Sequence, residues 1–150
     1  ALKAYGKALE LTPEDTALLT EAGFAWQRIG RMDYAAEAYR TAIGVNPRFA
    51  RVHIYLGSLL WETGRLDDAI VEYGRALESE PTSSLAAYNL GLAFEAKGLR
   101  EEAVKVWRSF LEKAESARDP DGWGLKIRDA VARLTAPAAN PPLAESVSTK

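Results

Sequence analysis

The 150-residue sequence has no cysteine and a single histidine, His53. Without cysteine there can be no disulfide, thiolate zinc site, iron–sulfur cluster or cysteine nucleophile. One histidine excludes a multi-histidine metal site and leaves a Ser-His-Asp centre with one candidate base. No stretch of about 18 apolar residues is free of charge, so direct membrane insertion is not expected. Neither sign of charge dominates: 19 Lys and Arg stand against 21 Asp and Glu, a net charge of −2. A nucleic-acid surface needs a basic excess, and a peripheral membrane anchor needs a polybasic patch; neither is present. There is no glycine-rich phosphate loop and no strand to place one on. Nothing resembling the n-region and h-region of a signal peptide precedes Ala1, which already lies in a helical pattern. The N-terminus is therefore read as truncated, and the location expected is cytoplasmic. No catalytic constellation, cofactor set or metal set is read, so no enzyme activity is expected.

What the sequence does have is a 34-residue period. Pro13, Pro47 and Pro81 keep that step, as do Gly23, Gly57 and Gly91, and Gly30, Gly64 and Gly98. Ala1, Ala35, Ala69 and Ala103 follow it, with Ala8, Ala42 and Ala76 and the aromatics Tyr5, Tyr39, Tyr73 and Trp107. Within a period the pattern is helical. Leu18, Leu19, Ala22, Phe24, Ala25, Trp26 and Ile29 form a broad apolar face. Gly30 offers a left-handed helix end, and Asp33 is expected to cap the next helix. That helix carries Tyr34, Ala35, Ala38, Tyr39, Ala42 and Ile43 until Pro47 stops it. Each period is an αα-hairpin. A glycine inside a helix costs about 1 kcal/mol relative to alanine. Its recurrence at 23, 57 and 91 predicts a compensating close approach, expected against Ala35, Ala69 and Ala103, with Tyr39, Tyr73 and Trp107 filling the gap to the next repeat.

These registers resemble the tetratricopeptide repeat (TPR). Ala22-Gly23, Leu56-Gly57 and Leu90-Gly91 stand at its Leu-Gly pair, and Trp26, Leu60 and Phe94 at the aromatic that follows. Ala35, Ala69 and Ala103 take its first alanine; Pro47 and Pro81 take its proline. The resemblance runs from residue 1 to about 117. It implies an all-α fold, an α-α superhelix (TPR solenoid) of three whole repeats at 16–49, 50–83 and 84–117. Residues 1–15 are the second helix of an incomplete leading repeat. Residues 122–135 are a C-terminal capping helix, and 136–150, rich in Ala, Pro and Ser, a disordered tail or linker. Phe110 stands where alanine is expected and is read as pushing any further hairpin away. In the capping helix Trp123, Ile127, Val131 and Leu134 form the apolar stripe, and Lys126, Arg128, Asp129 and Arg133 face water. Gly122-Trp123-Gly124 is read as the turn before it. His53 takes the register that the family gives to Trp and is expected to be structural.

In that family the first helices line a concave groove that holds peptides or helices of partner proteins. By register the groove here is lined by Ala17, Thr20, Glu21, Phe24, Gln27 and Arg28, then Arg51, Ile54, Tyr55, Ser58, Trp61 and Glu62, then Leu85, Tyr88, Asn89, Leu92, Glu95 and Ala96. The Lys, Asn and Arg set with which some members grip a C-terminal carboxylate is replaced by Thr20, Phe24, Tyr55, Leu85 and Asn89. The resemblance thus implies a groove for apolar anchors, with Phe24, Arg28, Arg51, Tyr55, Trp61, Tyr88, Asn89 and Leu92 as the peptide-binding residues. The expected function is a protein–protein interaction module, an adaptor or scaffold for a protein or peptide partner. Two alternatives stand beside it: a scaffold that self-associates through the open edge of the leading helix, and the regulatory arm of a larger enzyme.

Overall fold

The computed structural model describes residues 2–114 and 122–137. They form eight helices: α1 (Leu2–Leu11), α2 (Thr16–Arg28), α3 (Met32–Val45), α4 (Ala50–Glu62), α5 (Leu66–Ser79), α6 (Ser84–Ala96), α7 (Arg100–Ala114) and α8 (Trp123–Thr135). No strand occurs among the described residues. Residues 115–117 of the third repeat, and the expected tail from 138 onward, lie outside them. Helices α2–α3, α4–α5 and α6–α7 pair as hairpins, and each hairpin stacks on the next through its second helix and, more lightly, its first.

The turns follow from glycine. Gly30, Gly64 and Gly98 adopt φ of 80°, 79° and 80°, a region open to residues without a Cβ. Each closes its first helix by the same long bond: Arg31 N–H to the Trp26 carbonyl at 2.9 Å, Arg65 to Leu60 at 2.8 Å and Leu99 to Phe94 at 2.9 Å. The starts of the helices are less uniform. Asp15 caps α2, its carboxylate accepting from the Leu18 N–H at 2.9 Å. Asp33 does not cap α3. That helix begins at Met32, with Arg31 at the cap position and no side-chain cap bond, so Asp33 sits in the first turn, where its charge favours the helix dipole.

The recurring helical glycines have a partner other than the expected one. A Cβ on Gly23 would lie 2.5 Å from the Tyr39 ring, one on Gly57 2.6 Å from the Tyr73 ring and one on Gly91 2.1 Å from the Trp107 indole. The notch receives the aromatic of the same hairpin, not Ala35, Ala69 or Ala103. Tyr39 and Trp107 are fully buried in consequence, and Tyr73 nearly so. The alanines contribute differently: Ala35, Ala69, Ala103, Ala42 and Ala76 have no exposed surface and bring helix backbones together around the rings.

The apolar interior is a chain of three clusters, centred on Tyr39 with Val52 and Leu59, on Tyr73 with Ile54 and Leu90, and on Trp107 with Phe110 and Ile127. Each cluster draws on adjacent hairpins, so a hairpin alone would leave much of its apolar face wet. Helix α8 closes the last cluster. Its start at Trp123 takes Trp123 and Gly124 into the helix rather than leaving them in a turn. Its buried side is Gly124, Ile127 and Ala130, with Val131 and Leu134 only partly covered. Phe110 is buried in the cluster that includes Ile127 and Ala130. The ring thus packs where α8, a single helix, follows the third hairpin.

Candidate interaction face on the first helices

Of the eight residues that the register selects, Phe24 and Tyr55 meet across α2 and α4, and Arg28 and Arg51 contact side chains of the same two helices. The Phe24 and Tyr55 rings stack with centroids 4.8 Å apart and planes 23° apart. The Arg28 guanidinium lies over Phe24, 5.9 Å from its centroid. Arg51 Nη1–H donates to Glu21 Oε1 at 3.2 Å, bridging the same two helices. Trp61, near the end of α4, keeps 37% of its surface exposed. The other three, Tyr88, Asn89 and Leu92, sit on α6 in a different setting. Tyr88 is half-buried between Trp107 and Trp123, at centroid distances of 6.4 and 5.2 Å. Leu92 packs against the Trp107–Ile127 cluster, and Asn89 is half-buried.

Helix α8 makes this difference. Arg133 donates to Glu95 through both terminal nitrogens, at 2.5 and 2.9 Å, and this guanidinium holds the Glu95 carboxyl below its ordinary range. Arg133, expected to face water only, is therefore a link from α8 to the first helix of the third repeat. Lys126 Nζ sits 4.2 Å over the Trp123 ring.

Three register positions are buried rather than exposed: Thr20 at 0%, Gln27 at 6% and Ile54 at 6%. Thr20 turns its hydroxyl back to the Thr16 carbonyl at 2.6 Å. Gln27 sits at the centre of a polar network. Its Oε1 accepts from the Tyr39 hydroxyl at 2.8 Å, and its Nε2 donates to Glu62 Oε1 at 2.8 Å and to Ser58 Oγ at 3.4 Å. Burial pushes the Tyr39 hydroxyl well above its ordinary range, so it remains a donor. In the third hairpin Trp107 replaces Tyr39, and its Nε1–H, buried, has no acceptor among the described residues. Glu95, at the register of Gln27, is bound to Arg133 instead.

His53 is 2% exposed and structural. Its Nδ1–H donates to Glu72 Oε2 at 2.7 Å and its Nε2–H to the Pro47 carbonyl at 2.8 Å. Both partners accept, so the ring that satisfies both is the imidazolium. The Glu72 hydrogen bond raises the His53 pKa against the opposing effect of burial. Glu72 is completed by Arg75 at 2.9 Å. The pair staples the corner between repeats to α5. Glu72 carried no signal in the sequence, since its partner lies 19 residues away.

Among the described residues no group of three or more His, Asp or Glu side chains could hold a metal ion, and no helix is long and apolar enough to cross a membrane. A cleft of about 480 Å³ lies between α5, α6 and α7, floored by Leu77, Pro81, Leu90, Phe94 and Phe110.

With hairpin, glycine notch and stacking established, comparison places the chain in a class of helical repeat proteins. Two models, both described as tetratricopeptide repeat, match residues 27–84 and 85–116. The chain belongs to the tetratricopeptide repeat family. Among curated relatives, it is 30% identical over 95 residues to the small glutamine-rich tetratricopeptide repeat-containing protein 2 of Mycosarcoma maydis, covering 63% of this chain and 27% of that protein. It is 30% identical over 136 residues to the cytochrome c-type biogenesis protein CycH of Rhizobium meliloti (strain 1021), covering 89% of this chain and 35% of that one. A crystal structure of MamA superposes with a TM-score of 0.64 at 20% identity, over 89% of this chain and 84% of that one; at that identity the likeness concerns the fold. The chain spans between 11% and 35% of the length of such curated relatives.

Proposed function

We propose that the protein is an interaction module and that the first-helix face of its first two repeats is a groove for a segment of a partner protein. The observation that carries this reading is the pairing of α2 and α4, where the Phe24–Tyr55 stack lies beneath Arg28 and Trp61 stands exposed at the end of α4. Aromatic and arginine side chains dominate binding energy at protein interfaces, because they bury much area with few rotors to freeze. Tyr88 and Leu92 support the groove's end from beneath rather than offering free anchors. The module acts by holding its partner, with no chemistry assigned to the chain. A second reading, as an interaction arm within a longer protein, is favoured by two relatives named as transferases, the SPINDLY protein of Hordeum vulgare and TMTC1 of Homo sapiens. The chain covers 11% of each. Both readings use the same face.

The test compares affinity capture by the wild-type chain with capture by an Arg28→Ala, Arg51→Ala, Trp61→Ala variant. All three side chains are exposed, so helical content is expected to persist. A partner recovered by the wild type and lost by the folded variant supports the groove. Equal recovery by both contradicts it.

A further inference from the structure

The carboxylates on the first-helix face are not equivalent. Glu21 is matched by Arg51, and Glu95 by Arg133. Glu62 has no cationic partner among the described residues. It is nonetheless held in place: Gln27 Nε2–H and, more weakly, Ser58 Oγ–H both point to its Oε1, at 2.8 and 3.5 Å. Its Oε2 accepts nothing among the described residues. Gln27 is itself fixed from beneath by the Tyr39 hydroxyl at 2.8 Å. The carboxylate thus stands on an exposed face, pre-ordered by a buried network and missing only its countercharge. Arg28, on the neighbouring helix, lies over the Phe24 ring instead.

Beside it Trp61 is uncovered for a reason visible in the repeat. The contact from Gln27 to Glu62 runs 35 residues. The same step from Trp61 reaches Ala96, whose methyl is too short to cover an indole. One repeat further on, the chain itself displays the complement. Helix α8 lays Arg133 in a two-bond fork on Glu95, with the aromatic Trp123 against Tyr88. A helix carrying an arginine and an aromatic is thus already seated beside α6.

We propose that Glu62 is a subsite for an arginine or lysine side chain of the partner segment, with an apolar residue of the same segment on Trp61. This rests on the groove reading above and adds the charge of the partner: a basic–apolar segment, not an acidic one. A guanidinium on Glu62 forms a charge-assisted hydrogen bond at the open Oε2, and pre-ordering by Gln27 reduces the rotamer entropy lost on binding.

The probe is a randomised 12-residue peptide library displayed on phage. It is selected on the wild-type chain, and synthetic versions of the selected peptides are titrated against variants. The expected result is enrichment of Arg or Lys at a fixed distance from an apolar residue. Affinity for Glu62→Gln should fall about tenfold or more, and Glu62→Arg should select Asp or Glu instead. Thermal melting checks that each variant is folded. Selected peptides without a basic residue, or peptides that bind Glu62→Gln as tightly as wild type yet lose binding to Trp61→Ala, overturn the subsite and leave the groove standing. Peptides that bind a folded Tyr55→Ala, Trp61→Ala variant undiminished, or a library with no binder, contradict the groove itself.

Discussion

The first two hairpins and the third share one architecture and present different surfaces. In the first pair, α2 and α4 meet through Phe24 on Tyr55, Glu21 on Arg51 and Gln27 on Glu62, with Arg51 and Glu62 exposed. In the third, Tyr88 and Glu95 are taken up by Trp123 and Arg133 of α8. The comparison extends below the surface. Tyr39 reaches past its glycine to hydrogen-bond Gln27, whereas Trp107 fills the same notch with an N–H that has no acceptor among the described residues. Shape complementarity between notch and ring is thus retained where polar satisfaction is not. A repeat register fixes where a side chain sits along the helix, while the next element in the stack decides whether that position is a surface or a contact.

The glycine notch is where this comparison can be broken most strongly. Gly91→Ala should destabilise the third hairpin by about 3 kcal/mol, the upper end of ordinary overpacking, because the Cβ meets a rigid, fully buried indole at 2.1 Å. Gly57→Ala meets the edge of a tyrosine ring at 2.6 Å. It should cost less, about 1–2 kcal/mol, after the gain in helix propensity. Gly74, with nothing within 4 Å, reverses the sign: Gly74→Ala should stabilise by up to about 1 kcal/mol. Urea denaturation midpoints check all three, and an equal loss at 57 and 91 would remove the distinction between Tyr and Trp hairpins.

His53→Ala should cost about 2–3 kcal/mol by leaving Glu72 Oε2 and the Pro47 carbonyl without their donors. The pH dependence has a defined sign. The folded His53 pKa is raised, so its contribution is fully present below the ordinary histidine value of about 6.5. It is lost as pH rises through the folded value. Melting curves across that range should show stability falling with pH in the wild type, and a smaller fall in His53→Ala.

The smallest effect sharpens the comparison at α8. Arg133→Ala should reduce global stability by less than about 1 kcal/mol, since the pair is partly exposed, yet raise amide exchange in α8. The Glu95 carboxyl is lowered by Arg133, so this link is present above the ordinary carboxylate range and weakens as pH falls through the folded value. Loss of α8 protection relative to the intrinsic exchange rate, setting in below the ordinary carboxylate range and absent in Arg133→Ala, is the expected signature.

The hairpins, their glycine ends and their proline stops were legible in the sequence, because each is a local rule repeated at one step. The notch was half legible. Glycine at 23, 57 and 91 announced a close approach, but choosing between Ala35 and Tyr39 as its partner requires the inclination of one helix across the other. Register placed Phe24 and Tyr55 on one side of α2 and α4, where they stack, but it also placed Thr20, Gln27 and Ile54 there, and these are buried. The covering of Tyr88 and Glu95 was not, because α8 begins 39 residues after α6 where the first helices keep a step of 34. A helix outside the period has no register from which to read its contacts. Glu72 and the acceptor role of Gln27 were hidden for a related reason: each is defined by a partner on another helix.

The most direct measurement is hydrogen exchange by mass spectrometry on the chain, free and saturated with a peptide selected from the library. Added protection is expected within residues 16–28 and 50–62, with little change in α5 and α7. Protection concentrated at the cleft floored by Leu77, Phe94 and Phe110, with α2 and α4 unchanged, would contradict it.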